Sequence, residues 1–170
     1  MSVEEDRKVI VHVASFCVRR HGGELEVLIL KRTSQRRLYP NLWECGGGQV
    51  SPGEGFKGAV RRQVEEETGL GVEVIMAFDD YQIEAPFLDQ KLIPGIKFIC
   101  HVPEMSVGMR SKEESSRYDE EPKVKISERE HTEFRWVTLK EVNLGKIEFI
   151  PGIDKEIKKV FALIDRLELF

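Results

Sequence analysis

The 170 residues hold only three cysteines, Cys17, Cys45 and Cys100, and no C-x-x-C pair. An odd number at long spacings excludes a disulfide framework or a cysteine zinc site as the organising feature, and the thiols are expected to be reduced and buried. No run reaches the roughly 20 apolar residues of a membrane span. The first ten residues, MSVEEDRKVI, lack the apolar centre of a secretory signal. A basic excess is missing too. With 26 basic and 30 acidic side chains the formal net charge is −4, which argues against extended contact with nucleic acid. It leaves room for a small anion held by a few local cations or by a metal. The expectation is a cytoplasmic protein without membrane contact.

What is present is ordinary for a globular chain. Hydrophobic residues make up 41%, enough at this length for a core that needs no staples, and one domain over 1–170 is expected. Residues 8–19 and 25–31 are β-branched and apolar around His21-Gly22-Gly23, which predicts an opening hairpin. Residues 32–41 form a polar, basic connection, and 43–50 are glycine-rich. A helix is predicted over 56–68, closed by Gly69. Further strands are expected at 72–83, 92–102 (ordered from about Ile96, since Pro94 and Gly95 interrupt the start), 124–126 and 133–137. The charged stretch 104–122 reads as an inserted loop. Ile153, Ile157, Val160, Phe161 and Ile164 recur at helical spacing, which predicts an amphipathic helix over 153–167. This order of elements implies an α/β (α+β) sandwich with a mixed sheet.

The chemistry is concentrated in residues 46–70, GGGQVSPGEGFKGAVRRQVEEETGL. No P-loop is present. Gln63, Glu66 and Glu67 stand at i, i+3 and i+4, so they share a helix face. Two adjacent carboxylates at a helix C-terminus repel each other and the dipole. A solvated acidic face is one reading of them. A hard cation bound there is the other.

The spacing favours the second. Gly48, Glu54, Arg62, Val64, Glu66, Glu67, Gly69 and Leu70 match eight of the nine fixed positions of G-x5-E-x7-R-E-U-x-E-E-x-G-U, with U aliphatic, over 23 residues. This resembles the Nudix box. Leu42-Trp43-Glu44 with Gly47-Gly48 is similar to the approach to the box in MutT-type members, although Gly46 stands where proline is common. The segment 133–137 is similar to their late strand. The resemblance implies an α/β/α sandwich. It also implies hydrolysis of a pyrophosphate bond in a nucleoside di- or triphosphate derivative, with Mg²⁺ or Mn²⁺ as the metal. An oxidised nucleoside triphosphate, ADP-ribose and a dinucleoside polyphosphate all stay open as the small-molecule partner. Glu66, Glu67 and the Gly48 carbonyl match metal ligands, and Arg62 with Glu54 matches the pair that supports them. Glu130 stands where MutT-type members often add another acid. Gln63, Glu66, Glu67, Glu130 and Arg62 are therefore the expected catalytic set. Arg32 and Arg37 are candidates for substrate phosphates, and Trp43 for stacking on a base. Dimers are common in the family, so a homodimer is expected on that ground.

Gln63 departs from the pattern, which has glutamate there. An amide can coordinate through oxygen but cannot accept a proton near neutral pH. Three explanations stay open. They are a base elsewhere, with Glu130, Glu133, Glu44 and His131 as candidates; a slow enzyme; and a domain that binds a nucleotide or protein partner without cleavage.

Overall fold

Strands β1 (His12–His21) and β2 (Glu24–Arg32) are joined by Gly22 and Gly23 at φ 58° and 83°, a two-residue turn that needs positive φ at both positions. They pair from His21↔Glu24 back to Val18↔Val27 and then part company. The start of β1 takes β4 (Gly47–Gln49) as its partner, with Val13↔Gly48. The end of β2 takes β3 (Trp43–Glu44), with Leu30↔Glu44. Because β3 and β4 are consecutive, residues 43–49 bridge the gap between two splayed strands. At the crossing the Ser15 amide donates to the Gly46 carbonyl (3.2 Å). Gly46 (φ 100°) and Gly47 (φ 146°) carry the chain through it. A Cβ on Gly46 would lie 2.7 Å from Glu67 Oε2, and one on Gly47 would run into the Val13 carbonyl. Both positions therefore require glycine for backbone angle and for space.

The structure is a computed structural model and describes residues 9–104 and 123–170. The hairpin of β5 (Glu73–Glu84) and β6 (Leu92–His101) joins β1 through a parallel pairing, Val13↔Ile96. Strand β7 (His131–Thr138) lies antiparallel to β2. Among the described residues the result is a seven-stranded mixed sheet in the order β3-β2-β1-β6-β5, with β4 on β1 and β7 on β2.

Helix α1 (Phe56–Thr68) buries Ala59, Val60 and Val64 on Val13, Cys17, Leu28, Leu30 and Phe98. On the opposite face α3 (Ile153–Leu167) buries Ile157, Val160, Phe161 and Ile164 on Phe16, Val18, Val27, Ile29 and Val137. Residues 27–30 alternate between the two cores, as the two-residue period of a strand dictates. A sheet covered on both faces gives the α/β/α layering. Each buried Val, Leu, Ile or Phe among them contributes about 1.5–3 kcal/mol. All three cysteines are free and buried.

Three sequence expectations change. Strand β6 begins at Leu92 rather than Ile96. Pro94 still pairs with Gln82, and Gly95, lacking a Cβ, admits the Tyr81 ring. Residues 124–126 form no strand. Their neighbourhood bonds to the end of α1, with Lys125 N to Thr68 O (2.8 Å) and Ser127 N to Glu67 O (3.0 Å), so helix carbonyls take the place of a strand partner. A short helix, α2 (Leu139–Asn143), follows β7 behind a Thr138–Glu141 capping box; five residues give no readable period. Apart from Glu104, the expected insertion 104–122 lies outside the described residues. Among the described residues no helix is long and apolar enough to cross a membrane.

Candidate active site

Arg62 organises the outer half of the site. Its Nε donates to Glu54 Oε1 and its Nη2 to Glu54 Oε2, both at 2.8 Å. Nη2 also reaches the Gln49 carbonyl (3.0 Å), and Nη1 reaches Glu66 Oε2 (3.2 Å). The planar guanidinium thus clamps loop 49–54 to the middle of α1, a geometry lysine cannot reproduce. The Arg62 bonds, with help from the Ser51 amide, pull the Glu54 carboxyl down to about 2. A carboxyl held low in the fold stabilises it above its ordinary value near 4.5, and that contribution fades as pH falls toward 2. In Arg62→Lys, Glu54 is expected to titrate well above 2 when followed by carboxyl NMR shifts. An unchanged value would mean that the loop amide alone holds it.

Glu67 forms the inner half. The helix turn that exposes Glu66 turns Glu67 under the Gly46–Gly47 crossing. There it is only 4% exposed, and its Oε2 accepts from the Gly47 amide (3.2 Å). Burial pushes its carboxyl well above the usual range, and the nearby charges of Glu44 and Glu130 push it further, against the pull of the Gly47 amide. This is a carboxylate in want of a cation.

Glu44 has the opposite environment. Its Oε1 accepts from Arg32 Nη1 (2.8 Å) and from His131 Nε2 (2.9 Å). Burial alone would raise its carboxyl, but the His131 bond and the Arg32 guanidinium outweigh that and hold it below the ordinary value. The same oxygen requires the Nε2–H tautomer of His131. Glu130 stands next to this pair, fixed by its backbone: Glu130 N donates to Ser127 O and Thr33 N donates to Glu130 O, both at 3.0 Å. Among the described residues its side chain has one close cation, Arg36, at 4.0 Å.

Gln63 lies flat against Gly48, where a Cβ would fall on its amide, and its Nε2 donates weakly to the Gln49 carbonyl (3.4 Å). Along the β1–β4 ladder the Ser15 amide bonds Gly46 O and the Val50 amide bonds Val11 O. By the antiparallel alternation Val13 and Gly48 are then a hydrogen-bonded pair, and one lone pair of the Gly48 carbonyl stays free. Among the described residues no three His, Cys, Asp or Glu side chains stand close enough to hold an ion as placed. Glu130 lies near enough to act on the Glu67 carboxyl, and Gly48 faces Gln63, one helical turn before Glu67 on α1.

The structure ties Arg62 to Glu54 and Glu66, sets Gln63 against Gly48 and places Glu130 near Glu67. Arg32 is a correction. It is turned inward onto Glu44 and the Leu38 carbonyl (3.0 Å), because its partner in the register of β7 is His131. Trp43 is another correction. Adjacent strand residues face opposite ways, so with Glu44 on the α1 side Trp43 is buried in the α3-side core. Arg37 lies over the exposed ring of Phe87, 5.4 Å from its centre. Sequence reasoning treated Arg32, Glu44 and His131 separately; only the pairing of β2 with both β3 and β7 joins them.

The NUDIX domain family model matches residues 10–160. The Nucleoside triphosphatase NudI of Enterobacter sp. (strain 638) is 38% identical over 47 residues, 28% of this chain and 33% of that protein, so the match spans about a third of this curated relative. Among solved structures, the MutT protein of Methanosarcina mazei Go1 is 26% identical with a TM-score of 0.63, covering 98% of this chain and 100% of that one. A C. elegans Ap4A hydrolase binary complex is 19% identical with a TM-score of 0.66, covering 93% and 99%. With the box on α1, a sheet layered on both faces and a family match over most of its length, the chain belongs to the Nudix family.

Proposed function

We propose that this protein hydrolyses the pyrophosphate bond of a nucleoside di- or triphosphate derivative with Mg²⁺, or Mn²⁺ in its place. The observation that carries this reading is Glu67, a buried carboxylate opposed by two other carboxylates beneath a glycine crossing. Nudix hydrolases generally use divalent metals. The donors here fit one, since they are hard oxygens and the net field at Glu67 calls for positive charge. Glu67, Glu66, Glu130 and the Gly48 carbonyl are the groups that would hold it. When bound, the metal supplies charge neutralisation of the phosphate oxygens and activation of water.

The chain's own residues divide the remaining work. Arg62 keeps Glu66 and the 49–54 loop in place. Glu44 is committed to Arg32 and His131, His131 Nε2 is committed to Glu44, and Glu133 is bonded to Lys31 (2.9 Å). Glu130 is the remaining candidate to take the proton of the attacking water. A reducing, cytoplasmic setting agrees with three free thiols.

A Mg²⁺-dependent phosphate-release screen over nucleoside triphosphates, ADP-ribose and dinucleoside polyphosphates tests this reading. The relatives' names, a nucleoside triphosphatase and an Ap4A hydrolase, make the first and last of these the starting points. Nucleotide binding without turnover of any substrate would establish the second reading, a silent binding module. That reading is favoured by Gln63, whose amide is turned to the Gln49 carbonyl. Gln63→Glu separates the two. Without metal its carboxylate would face that carbonyl, so metal-free stability is expected to fall slightly. Mn²⁺ affinity is expected to rise, with activity equal or higher. A large loss of activity would show that the amide itself belongs to a rearranged site.

A further inference from the structure

Two buried polar atoms, His131 Nδ1 and Thr33 Oγ1, have no hydrogen-bond partner among the described residues. Both lie where β2 ends against the start of β7, at the irregularity between Lys31 and Arg32. Buried polar atoms are nearly always satisfied, so two orphans at one junction indicate that packing alone did not select these residues. His131 is 2% exposed and reaches Glu44, on β3, from the first position of β7. The same junction carries the backbone bond from Thr33 N to Glu130 O. From there the chain runs back to α1 through Glu130 N to Ser127 O and Ser127 N to Glu67 O. The turn 127–130 is thus anchored at one end to the helix residue Glu67 and at the other to His131. Among the described residues the Glu130 side chain has no closer cation than Arg36, at 4.0 Å.

We propose that His131 is a positioning residue which, by bonding Glu44 across β2, β3 and β7, fixes the 127–130 turn so that Glu130 stands beside Glu67. This rests on the metal-dependent reading given above. It goes beyond that reading by assigning a site role to a residue outside the box that touches neither metal nor phosphate. Glutamine can extend an amide donor to about the reach of Nε2, whereas asparagine is too short.

The test is a double-mutant cycle on Mn²⁺ binding, read by calorimetry on the full chain with Mn²⁺ alone, with kcat and KM as a second readout. His131→Asn is expected to weaken Mn²⁺ binding about 10-fold or more, the usual effect of losing an orienting partner. His131→Gln should stay within about 3-fold of wild type. In a Glu130→Gln background the change from His131 to Asn should cost nothing further, because the effect runs through Glu130. Its kinetic loss should appear in kcat rather than KM. Equal losses with and without Glu130, or indistinguishable Asn and Gln variants, would overturn the proposal and leave His131 a packing residue. Failure of the wild type to bind Mn²⁺ is a different result, which overturns the metal reading itself. If His131→Asn does not fold, the Gln variant in the two backgrounds carries the cycle. Binding within about 3-fold of the matching His131 protein in both backgrounds is then expected, and a loss beyond about 10-fold in His131→Gln with Glu130 present would again overturn the proposal.

Discussion

Replacing Glu67 by glutamine is expected to lower the rate of pyrophosphate hydrolysis by about 10³-fold, the scale of losing one preorganised charge in an active site, without destabilising the protein. The two halves of this expectation have one cause. Glu67 is buried, its carboxyl is pushed up by that burial and by Glu44 and Glu130, and only the Gly47 amide stabilises its charge. An acid whose folded value lies above its unfolded value binds its proton more tightly in the folded state. Stability of the metal-free wild type should therefore fall as pH rises from about 4.5 toward that raised value. Glu67→Gln removes the titration and keeps the shape, so urea unfolding should show it as equal in stability near pH 4.5 and more stable at pH 7. Mg²⁺ should raise the wild-type Tm and leave the variant's Tm almost unchanged. A variant with near-normal turnover would refute the metal assignment. One that is inactive because it unfolds would refute the account of Glu67 as a destabilising charge.

Glu44→Ala is expected to do the reverse, with its main effect on folding. A loss of about 3–5 kcal/mol is anticipated, since removal of one partner of a buried ion pair leaves the other without compensation. The partners left are Arg32, 9% exposed, and His131, 2% exposed. The carboxyl of Glu44 is held low, so its contribution is present above about 4.5 and lost as pH falls through its folded value. Wild type should therefore lose its advantage over Glu44→Ala on acidification, and the two unfolding curves should converge in acid. Glu44→Gln keeps an oxygen acceptor and should fall between them. Two neighbouring carboxylates thus give stability a pH dependence of opposite sign, and curves that stay parallel down to acid pH would show that Glu44 is not the buried anion described here.

Much of the fold was legible because it depends on local patterns. The 3.6-residue period over 153–167, the helix between Phe56 and Gly69 and the glycine turn at 22–23 each rest on a physical rule that works within one segment. So does the box, whose residues lie on one helix and one loop. The start of β6 at Leu92 was not legible. Pro94 and Gly95 weaken a strand by local rules, yet long-range pairing with β5 and β1 holds them. The segment 124–126 has strand-like residues but finds helix carbonyls in place of a neighbouring strand. Basic and aromatic residues near a phosphate motif have the chemistry of substrate contacts, which makes Arg32 and Trp43 candidates by residue type alone. Their actual directions follow from strand register, which no local pattern specifies.

By itself, the sequence determined the mixed α/β class and the identity of the carboxylates, since both follow from residue type and spacing, and its resemblance to the Nudix box implied the family and the α/β/α layering. It also determined that Gln63 stands where a carboxylate is usual. Only the tertiary structure decided which of these acids is buried and which is free. Glu67 is forced under the 46–47 crossing, Glu66 is handed to Arg62, and Glu44 is neutralised by residues 12 positions before it and 87 after it. The reason is that a carboxylate's proton affinity depends on burial and on charges within a few ångströms. Both are set where β1 and β2 splay apart and the chain between Trp43 and Gln49 crosses the gap.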